Sequence, residues 1–136
     1  MLIEGSAIIF VNSSRQVLLF LRDDKPEIPF PNTWDILGGR LDPGETPEQC
    51  IIREMREEIE FELRDPEPFQ TRQDEHGIVH LYWQRADFDL GKTPLHEGQR
   101  LKWFSEDEIR SMAPEQFAFG SREHLLDFYN WLTRKT

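Results

Sequence analysis

The chain has 136 residues, and its 26 Asp and Glu outnumber its 16 Lys and Arg, which gives a formal net charge of −10. This length favours a single domain over residues 1–136, and 38% hydrophobic with 12% aromatic residues excludes a disordered acidic tail. No apolar run approaches the roughly 20 residues that cross a bilayer, which excludes a membrane span, and the acidic balance argues against a general nucleic-acid binder.

Short apolar segments rich in β-branched and aromatic residues predict strands in the first third of the chain. The predicted elements before residue 40 are strands at 6–11, 16–22 and 34–37 and a loop at 23–33. Polar residues 12–15 separate the first two strands and predict a hairpin turn. The loop is predicted because this stretch contains three prolines.

The clearest helix start in the chain is at Thr46. Pro47 follows at the first helical position, and Gln49 lies three residues past Thr46, which is the arrangement of a capping box. This pattern predicts a helix that begins after Thr46 and continues to about residue 60.

The second half of the chain predicts three further strands and two further helices. They are strands at 67–73 and 78–86 paired around 74–77, a strand at 99–104, a short helix from Ser105 and a last helix from Ser121. The last helix has an apolar face to bury, formed by Leu125, Leu126, Phe128, Tyr129 and Leu132. Strands therefore occur before, between and after helices, and this order predicts an α/β fold with a mixed sheet covered by helices on both faces.

The helix predicted after Thr46 has an apolar stripe beside a row of carboxylates. The stripe consists of Ile51, Ile52, Met55 and Ile59. Glu54, Glu57 and Glu58 occupy the neighbouring sector, where like charges repel by roughly 0.2–0.5 kcal/mol per pair. Arg53 and Arg56 are expected on the opposite flank of the helix, away from these carboxylates.

Two interpretations of the three glutamates are open at this point. A run of charged residues is usually a solvated helix face. The alternative is a site for a hard divalent ion such as Mg²⁺ or Mn²⁺, because clustered carboxylates supply oxygen ligands and the ion relieves their repulsion. Residues 38–45 favour this alternative, since they predict a glycine-rich loop whose backbone can approach a ligand closely.

The segment from Gly39 to Phe61 resembles the Nudix box, a long pattern of fixed spacing. Gly39 is followed after five residues by Glu45 and, after seven more, by Arg53-Glu54-Met55-Arg56-Glu57-Glu58-Ile59-Glu60-Phe61. Every specified position of the pattern matches except one, where Glu60 stands in place of Gly. The order of the surrounding elements is also similar to a minimal Nudix domain. The resemblance implies a Nudix-type α/β/α sandwich.

The departure at Glu60 concerns the end of the helix. A glycine at this position would adopt the left-handed conformation that ends a helix. Glutamate there either costs about 1 kcal/mol or more in backbone strain, or the helix continues toward Pro66. Neither alternative changes the residues that are implied as metal ligands.

The resemblance implies a role for each box residue. Nudix family members use a divalent metal, here Mg²⁺ or Mn²⁺, to hydrolyse nucleoside diphosphates linked to another moiety. Glu57 and Glu58 are implied as the principal metal ligands, and Glu54 is implied as a third ligand or as the group that activates water. The carbonyl of Gly38 is a further implied ligand. The implied supporting residues are Gly39, Glu45 and Arg53.

Residues outside the box complete the predicted site. Glu97 resembles the acidic residue that MutT-type members place before their last strand, which implies a general base, and His96 competes for this role. Arg22 and Arg40 are candidates for phosphate contact. Four aromatic residues are candidates for a base-stacking surface, namely Phe30, Trp34, Tyr82 and Trp83. The alternative is that they pack in the core.

The sequence therefore predicts a metal-dependent hydrolase of the diphosphate linkage in a small nucleotide, with a MutT-like nucleoside triphosphate as one candidate. The alternatives are ADP-ribose or another nucleotide sugar, a dinucleoside polyphosphate, an RNA cap, which the net charge disfavours, and a Nudix module that senses a nucleotide without cleaving it. The predicted partner is a small-molecule nucleotide, with no nucleic acid and no membrane, and a homodimer stays open. A single cysteine, Cys50, and a first segment unlike a secretory signal predict a cytoplasmic location.

Overall fold

A computed structural model describes residues 3–135, within which seven strands form one mixed sheet. The strands are β1 (Glu4–Val11), β2 (Val17–Leu21), β3 (Trp34–Asp35), β4 (Leu37–Arg40), β5 (Glu67–Asp74), β6 (Gly77–Arg85) and β7 (Arg100–Phe104). The α-helices are α1 (Pro47–Ile59), α2 (Glu106–Ser111) and α3 (Ser121–Lys135). The single domain over residues 1–136 stays a prediction, and Met1, Leu2 and Thr136 lie outside the described residues.

β1 is the strand around which the sheet is organised. It pairs in parallel with β6 along its whole length, from Glu4 opposite Ile78 to Val11 opposite Arg85. On its other side, the first half of β1 pairs antiparallel with β4, and its end pairs with β2 at Val17. β5 pairs with β6, and both β3 and β7 pair with β2. β4 and β2 thus share one side of β1.

Side chains of β1 alternate between two hydrophobic cores, one on each face of the sheet. Ile9 and Val11 belong to the core that α3 covers, and Ile8 and Phe10 belong to the core that α1 covers. α1 contributes Ile51, Met55 and Ile59 to its core. α3 contributes Leu125, Phe128, Tyr129 and Leu132. Each such buried side chain contributes about 1.5–3 kcal/mol, and helices on both faces confirm the predicted α/β/α architecture.

The glycine pair before the box helix lies in a strand rather than in a loop. The stretch predicted as one strand followed by a glycine-rich loop forms two short strands, β3 and β4, and Gly38 and Gly39 lie inside β4. The loop prediction is therefore wrong for residues 38–40. Gly38 pairs with Ala7 of β1, and a Cβ on Gly38 would lie 2.1 Å from the Ser6 carbonyl oxygen. Glycine here permits close approach of two strands.

α1 has an identifiable cap at each end. The Gln49 N–H donates to the Thr46 hydroxyl at 3.1 Å, and the Thr46 N–H donates to the Gln49 side chain at 3.0 Å, so the predicted capping box is confirmed. At the other end, Glu60 adopts φ 54° and ψ 39°, and its N–H donates to the Met55 carbonyl. The left-handed alternative is therefore the one the chain adopts, at a cost of about 1–2 kcal/mol.

The second half of the chain follows the predicted order of elements. β5, β6 and β7 each begin and end within one residue of the predicted bounds, and α3 begins at Ser121. The Ser105 hydroxyl accepts from the Glu108 N–H and caps α2, as the sequence predicts. Two short 3₁₀ turns, Leu90–Lys92 and Pro114–Gln116, were not predicted. No helix within residues 3–135 has both the length and the apolar character to span a membrane.

Candidate active site

A cavity of about 700 Å³ lies beside β4 and α1, within the range of small-molecule sites. Six residues that the sequence singles out line it, namely Arg22, Gly38, Gly39, Arg40, Glu54 and Glu97. Other lining residues were not predicted as site residues and include Asp35, His76, Phe119, Ser121 and His124. The cavity thus joins one end of the box to residues from three other parts of the chain.

The carboxylate of Glu54 lies directly against the backbone of Gly39. A Cβ on Gly39 would fall 2.3 Å from both Cδ and Oε1 of Glu54, much closer than carbon atoms can approach. The Glu54 side chain is only 13% exposed, so it has little room to move away. Gly39 is therefore glycine because β4 has to pass beneath this carboxylate.

Arg53 lies among the box carboxylates. Its Nε and Nη2 donate to the carboxylate of Glu45 at 2.7 and 3.0 Å, and Nη2 also donates to the Arg40 carbonyl at 3.0 Å. Its Nη1 donates to Glu54 at 2.9 Å and to Glu57 at 3.2 Å. The prediction that Arg53 projects away from the glutamates is wrong, because its long side chain reaches across the helix surface to the i+4 position.

The Arg53–Glu45 pair ties the start of α1 to the segment that precedes it. Hydrogen bonds from Arg53 and from the Asp42 N–H lower the pKa of Glu45 to about 2, so this carboxylate stays charged. Arg53 in turn contacts the backbone of β4 at Arg40. This geometry is consistent with the supporting role that the family resemblance implies for Glu45 and Arg53.

Glu58 lies where several negative charges accumulate. Burial, followed by repulsion from the carboxylates of Glu97, Glu54 and Glu57, raises its pKa to about 7. Burial also raises the pKa of Glu54, although Arg53 opposes this shift. Glu97 itself is exposed and belongs to the loop before β7. The fold therefore brings Glu97 next to Glu54 and Glu58, although Glu97 is far from both of them in sequence.

The carboxylates match the chemistry of a divalent-ion site without forming a finished one. Mg²⁺ and Mn²⁺ prefer oxygen ligands. Repulsion between neighbouring carboxylates contributes to the raised pKa values of Glu54 and Glu58, and a bound cation would relieve this repulsion. Among residues 3–135, however, no three His, Cys, Asp or Glu side chains are arranged as a ready-made ion site. Arg53 hydrogen-bonds both Glu54 and Glu57. Glu57 is 53% exposed, so a rotamer change can exchange Arg53 for an ion.

The two arginines predicted to contact phosphate both line the cavity, but Arg22 already has partners. Its Nη2 donates to the Pro29 carbonyl at 2.8 Å, and its guanidinium lies 5.1 Å from the centre of the Phe119 ring. Arg22 therefore fastens the loop at residues 23–33 to the cavity wall. Arg40 is exposed and also lines the cavity.

Three of the four aromatic candidates for base stacking are core residues. They are Trp34 and Trp83, in the core under α3, and Tyr82, in the core under α1. The stacking hypothesis is wrong for these three, because aromatic side chains at strand positions pack into the sheet faces here. Phe30 is 36% exposed and packs on Phe119 and His76, with ring centroids 4.7 and 5.7 Å apart. Phe119, which the sequence analysis missed, is the member of this group that lines the cavity together with His76.

Asp35 is the main cavity residue that sequence reasoning missed. Its carboxylate accepts from the Ile36 N–H at 2.8 Å and lies 4.0 Å from Nη1 of Arg22. Burial raises its pKa to about 7, although both of these contacts lower it. A signal was present, since one acidic residue between the apolar Trp34 and Ile36 points to the opposite face of a strand. Phe119 offered no such signal.

Comparison with known proteins gives the class to which this fold and site belong. The NUDIX domain family model matches residues 1–128. The chain therefore belongs to the Nudix family, which confirms the resemblance that the box residues carry.

Individual relatives share part or most of the chain. The CTP pyrophosphohydrolase of Escherichia coli (strain K12) is 37% identical to this chain over 78 residues. These residues are 55% of this chain and 57% of that protein, so the match spans little more than half of the relative's length. The RNA pyrophosphohydrolase of Francisella tularensis subsp. mediasiatica (strain FSC147) is 28% identical over 92% of this chain and 72% of that protein. Among solved structures, the NUDIX domain of Shewanella oneidensis NrtR complexed with ADP ribose has a TM-score of 0.74 at 19% identity, covering 100% of this chain and 90% of that one. This last likeness shows the fold alone.

Proposed function

We propose that the protein is a divalent-metal-dependent hydrolase that cuts the diphosphate linkage of a small nucleotide, with a nucleoside triphosphate as the favoured substrate. The observation that carries this proposal is the cluster of the Glu54, Glu58 and Glu97 carboxylates. Glu54 and Glu97 line the cavity of about 700 Å³, and Glu58 lies next to them outside its lining. Membership of the Nudix family and a relative named CTP pyrophosphohydrolase support it. The proposed location stays cytoplasmic, as the sequence predicts.

The box carboxylates are the proposed metal ligands. Glu57 and Glu58 are the principal ligands in this proposal, and Glu54 and the Gly38 carbonyl are further ones. Bound there, Mg²⁺ or Mn²⁺ supplies an activated water and neutralises charge on phosphate oxygens. Arg53 keeps Glu54 and Glu57 on the same side of α1, because its Nη1 donates to both carboxylates.

Residues around the proposed ion take the other roles in the reaction, namely general base, phosphate contact and nucleobase contact. Glu97 is the proposed general base, because its exposed carboxylate lines the cavity beside Glu58. Arg40 is the proposed phosphate contact, with Arg22 as the second candidate, since a guanidinium donates two parallel hydrogen bonds to phosphate. Asp35 and Phe119 offer a hydrogen-bonding carboxyl and an aromatic face on which a nucleobase can be held.

A second candidate substrate is ADP-ribose or another nucleotide sugar. The neighbour from Shewanella oneidensis was solved in complex with ADP ribose, in a fold that covers the whole of this chain. A triphosphorylated RNA end is a third class, because the Francisella relative is named an RNA pyrophosphohydrolase, although the net charge of −10 opposes RNA binding.

Hydrolysis of a panel of substrates tests the proposal, with the nucleotide and sugar phosphate products separated by chromatography and the released phosphate and pyrophosphate measured as well. The panel contains CTP and other nucleoside triphosphates, ADP-ribose, a dinucleoside polyphosphate and a short 5′-triphosphate RNA, each with Mg²⁺ or Mn²⁺. We expect turnover of a nucleoside triphosphate that EDTA abolishes and that Glu58→Gln lowers on the order of 100-fold. Glu62→Gln is the matched control, because Glu62 pairs with Arg56 at 2.7 Å and does not line the cavity.

Two outcomes would contradict the proposal. Turnover that withstands both EDTA and Glu58→Gln would remove the proposed metal site. Binding of a nucleotide without cleavage of any panel member would identify a sensing module instead.

A further inference from the structure

The loop that carries Glu97 is attached to the fold on two sides. On the strand side, the Gln99 side chain donates to the Arg22 carbonyl at 2.8 Å. On the helix side, the His96 N–H donates to the Glu58 carbonyl at 2.9 Å and so caps the end of α1. Glu97 and Gly98 lie between these two anchors, and Glu97 is exposed.

Glu60 adds a side-chain contact on the helix side. Nε2 of His96 lies 2.6 Å from Oε2 of Glu60, and the ring nitrogen donates because a carboxylate only accepts. Glu60 makes this contact from a left-handed backbone with φ 54°, a conformation that glycine adopts with much less strain. The side chains of His96 and Glu60 are 55% and 61% exposed, and such pairs return little stability. The contact therefore does not offset the backbone strain.

We infer that Glu60 is a positioning residue that acts on Glu97 through His96. This inference rests on the proposed function, in which Glu97 is the general base. Without the Glu60 carboxylate, the loop loses this side-chain contact with the end of α1. It keeps the backbone hydrogen bond from His96 to Glu58 and the packing of Leu95 on the core under α1. The Glu97 carboxylate then spends less time beside Glu58, which slows the chemical step and leaves substrate binding nearly unchanged.

Three substitutions of Glu60 separate positioning from stability. Glu60→Gly removes the carboxylate and the strain together, so it is expected to raise Tm and yet to lower kcat by about threefold to tenfold with KM within about twofold. Glu60→Ala lowers kcat similarly without raising Tm, since alanine keeps the strain. Glu60→Gln keeps an acceptor for the His96 N–H and restores most of the lost kcat. Glu62→Gln is the control with unchanged kcat, because it removes an ion pair with Arg56 and none of these contacts.

Two further measurements show whether the effect passes through the loop to Glu97. Hydrogen exchange at the His96 amide, which donates to the Glu58 carbonyl, is expected to speed up in Glu60→Gly and Glu60→Ala but not in Glu60→Gln. In a Glu97→Gln background, Glu60→Gly is expected to cause no further loss of the residual kcat, because residues that act as a unit are not additive.

Each outcome decides one of the two claims. A Glu60→Gly variant that is more stable and as active as wild type, with unchanged exchange at His96, would overturn the positioning role. Wild-type protein that turns over nothing in the panel would refute the proposed function, and exchange at His96 would then still report whether Glu60 holds the loop.

Discussion

At the scale of single residues, Asp35 combines burial with a place in the cavity wall. Its pKa of about 7 results first from burial, which disfavours the charged carboxylate, against opposing effects of Ile36 and Arg22. A carboxyl group near its pKa at neutral pH can both donate and accept a hydrogen bond. This is a useful property for a residue that lines a cavity proposed to hold a nucleobase.

The first prediction at this scale concerns pH and Asp35. The folded pKa of about 7 lies above the ordinary value of 3.8, so the folded chain keeps a proton between these pH values that the unfolded chain has lost. The free energy of unfolding of wild type therefore falls as pH rises from about 4 to 7. Asp35→Asn cannot ionise, so it should be more stable than wild type above pH 7, by about 1 kcal/mol or more.

Urea unfolding of both proteins between about pH 2 and 8 measures this difference. Asp87→Asn is a control of opposite sign, because hydrogen bonds from Ser13 lower the pKa of Asp87. Wild type should lose stability relative to that variant as pH falls below about 4. If the free energy of unfolding depends on pH in the same way in wild type and in Asp35→Asn, the pKa of Asp35 is not raised by folding.

At the scale of elements, the site depends on how closely β4 passes α1. β4 hydrogen-bonds to β1 on one side, and the Glu54 carboxylate of α1 lies against Gly39. Arg53 joins the same two elements, since its Nη2 donates to the Arg40 carbonyl of β4. A change of a single methyl group between β4 and α1 is therefore a change at the proposed metal site.

Gly39→Ala tests this closeness. The added Cβ would lie 2.3 Å from the Glu54 carboxylate, so Glu54 has to leave its position, and overpacking of this kind costs about 1–3 kcal/mol. We expect kcat to fall by at least about tenfold together with the loss of stability, as measured by the nucleotide assay and by thermal unfolding.

Gly44→Ala serves as the comparison for Gly39→Ala. Gly44 has φ 80° and nothing within 4 Å of an added Cβ, so this variant meets backbone strain without a clash at Glu54. It should lose stability but keep kcat at a temperature where it is folded. Equal kcat in the two alanine variants would argue against a role for the Gly39–Glu54 contact.

The helix ends and the box residues show which features of α1 and β4 could be predicted from the sequence. The Thr46–Gln49 cap and the apolar stripe of α1 are local patterns, so spacing along the chain is sufficient to predict them. The place of Arg53 was predicted wrongly, because a helical wheel gives the direction of Cβ and not the reach of a long side chain. The strand position of Gly38 depended on pairing with β1, which is a contact between distant parts of the chain.

At the scale of the whole molecule, the sheet has a separate core on each face, and the cavity takes residues from both α1 and α3. α3 covers one face with a core that includes Trp34 and Trp83, and α1 covers the other and carries the box glutamates. The sequence could not assign these tryptophans to a core or a cleft, because both environments favour large aromatic side chains. The cavity wall around Phe119 was unpredictable for a different reason, since it forms only when loops from separate parts of the chain meet.

Metal binding should be visible in the stability of the entire fold. A ligand that binds only the folded state at 100 times its Kd stabilises that state by about 2.7 kcal/mol, which corresponds to a rise in Tm of roughly 10 °C. We expect such a rise for wild type and Glu62→Gln in Mn²⁺ and a much smaller one for Glu58→Gln. Differential scanning calorimetry in Mn²⁺ and in EDTA makes the measurement, and identical shifts in all three proteins would place the ion elsewhere.

The position of Arg53 among Glu45, Glu54 and Glu57 has a practical consequence for preparing the protein. Because its guanidinium already pairs with these three carboxylates, we expect newly made chains to reach the native state in a metal-free solution. Stripped protein should remain soluble and reloadable, which leaves the choice of ion to the experimenter rather than to the conditions of expression.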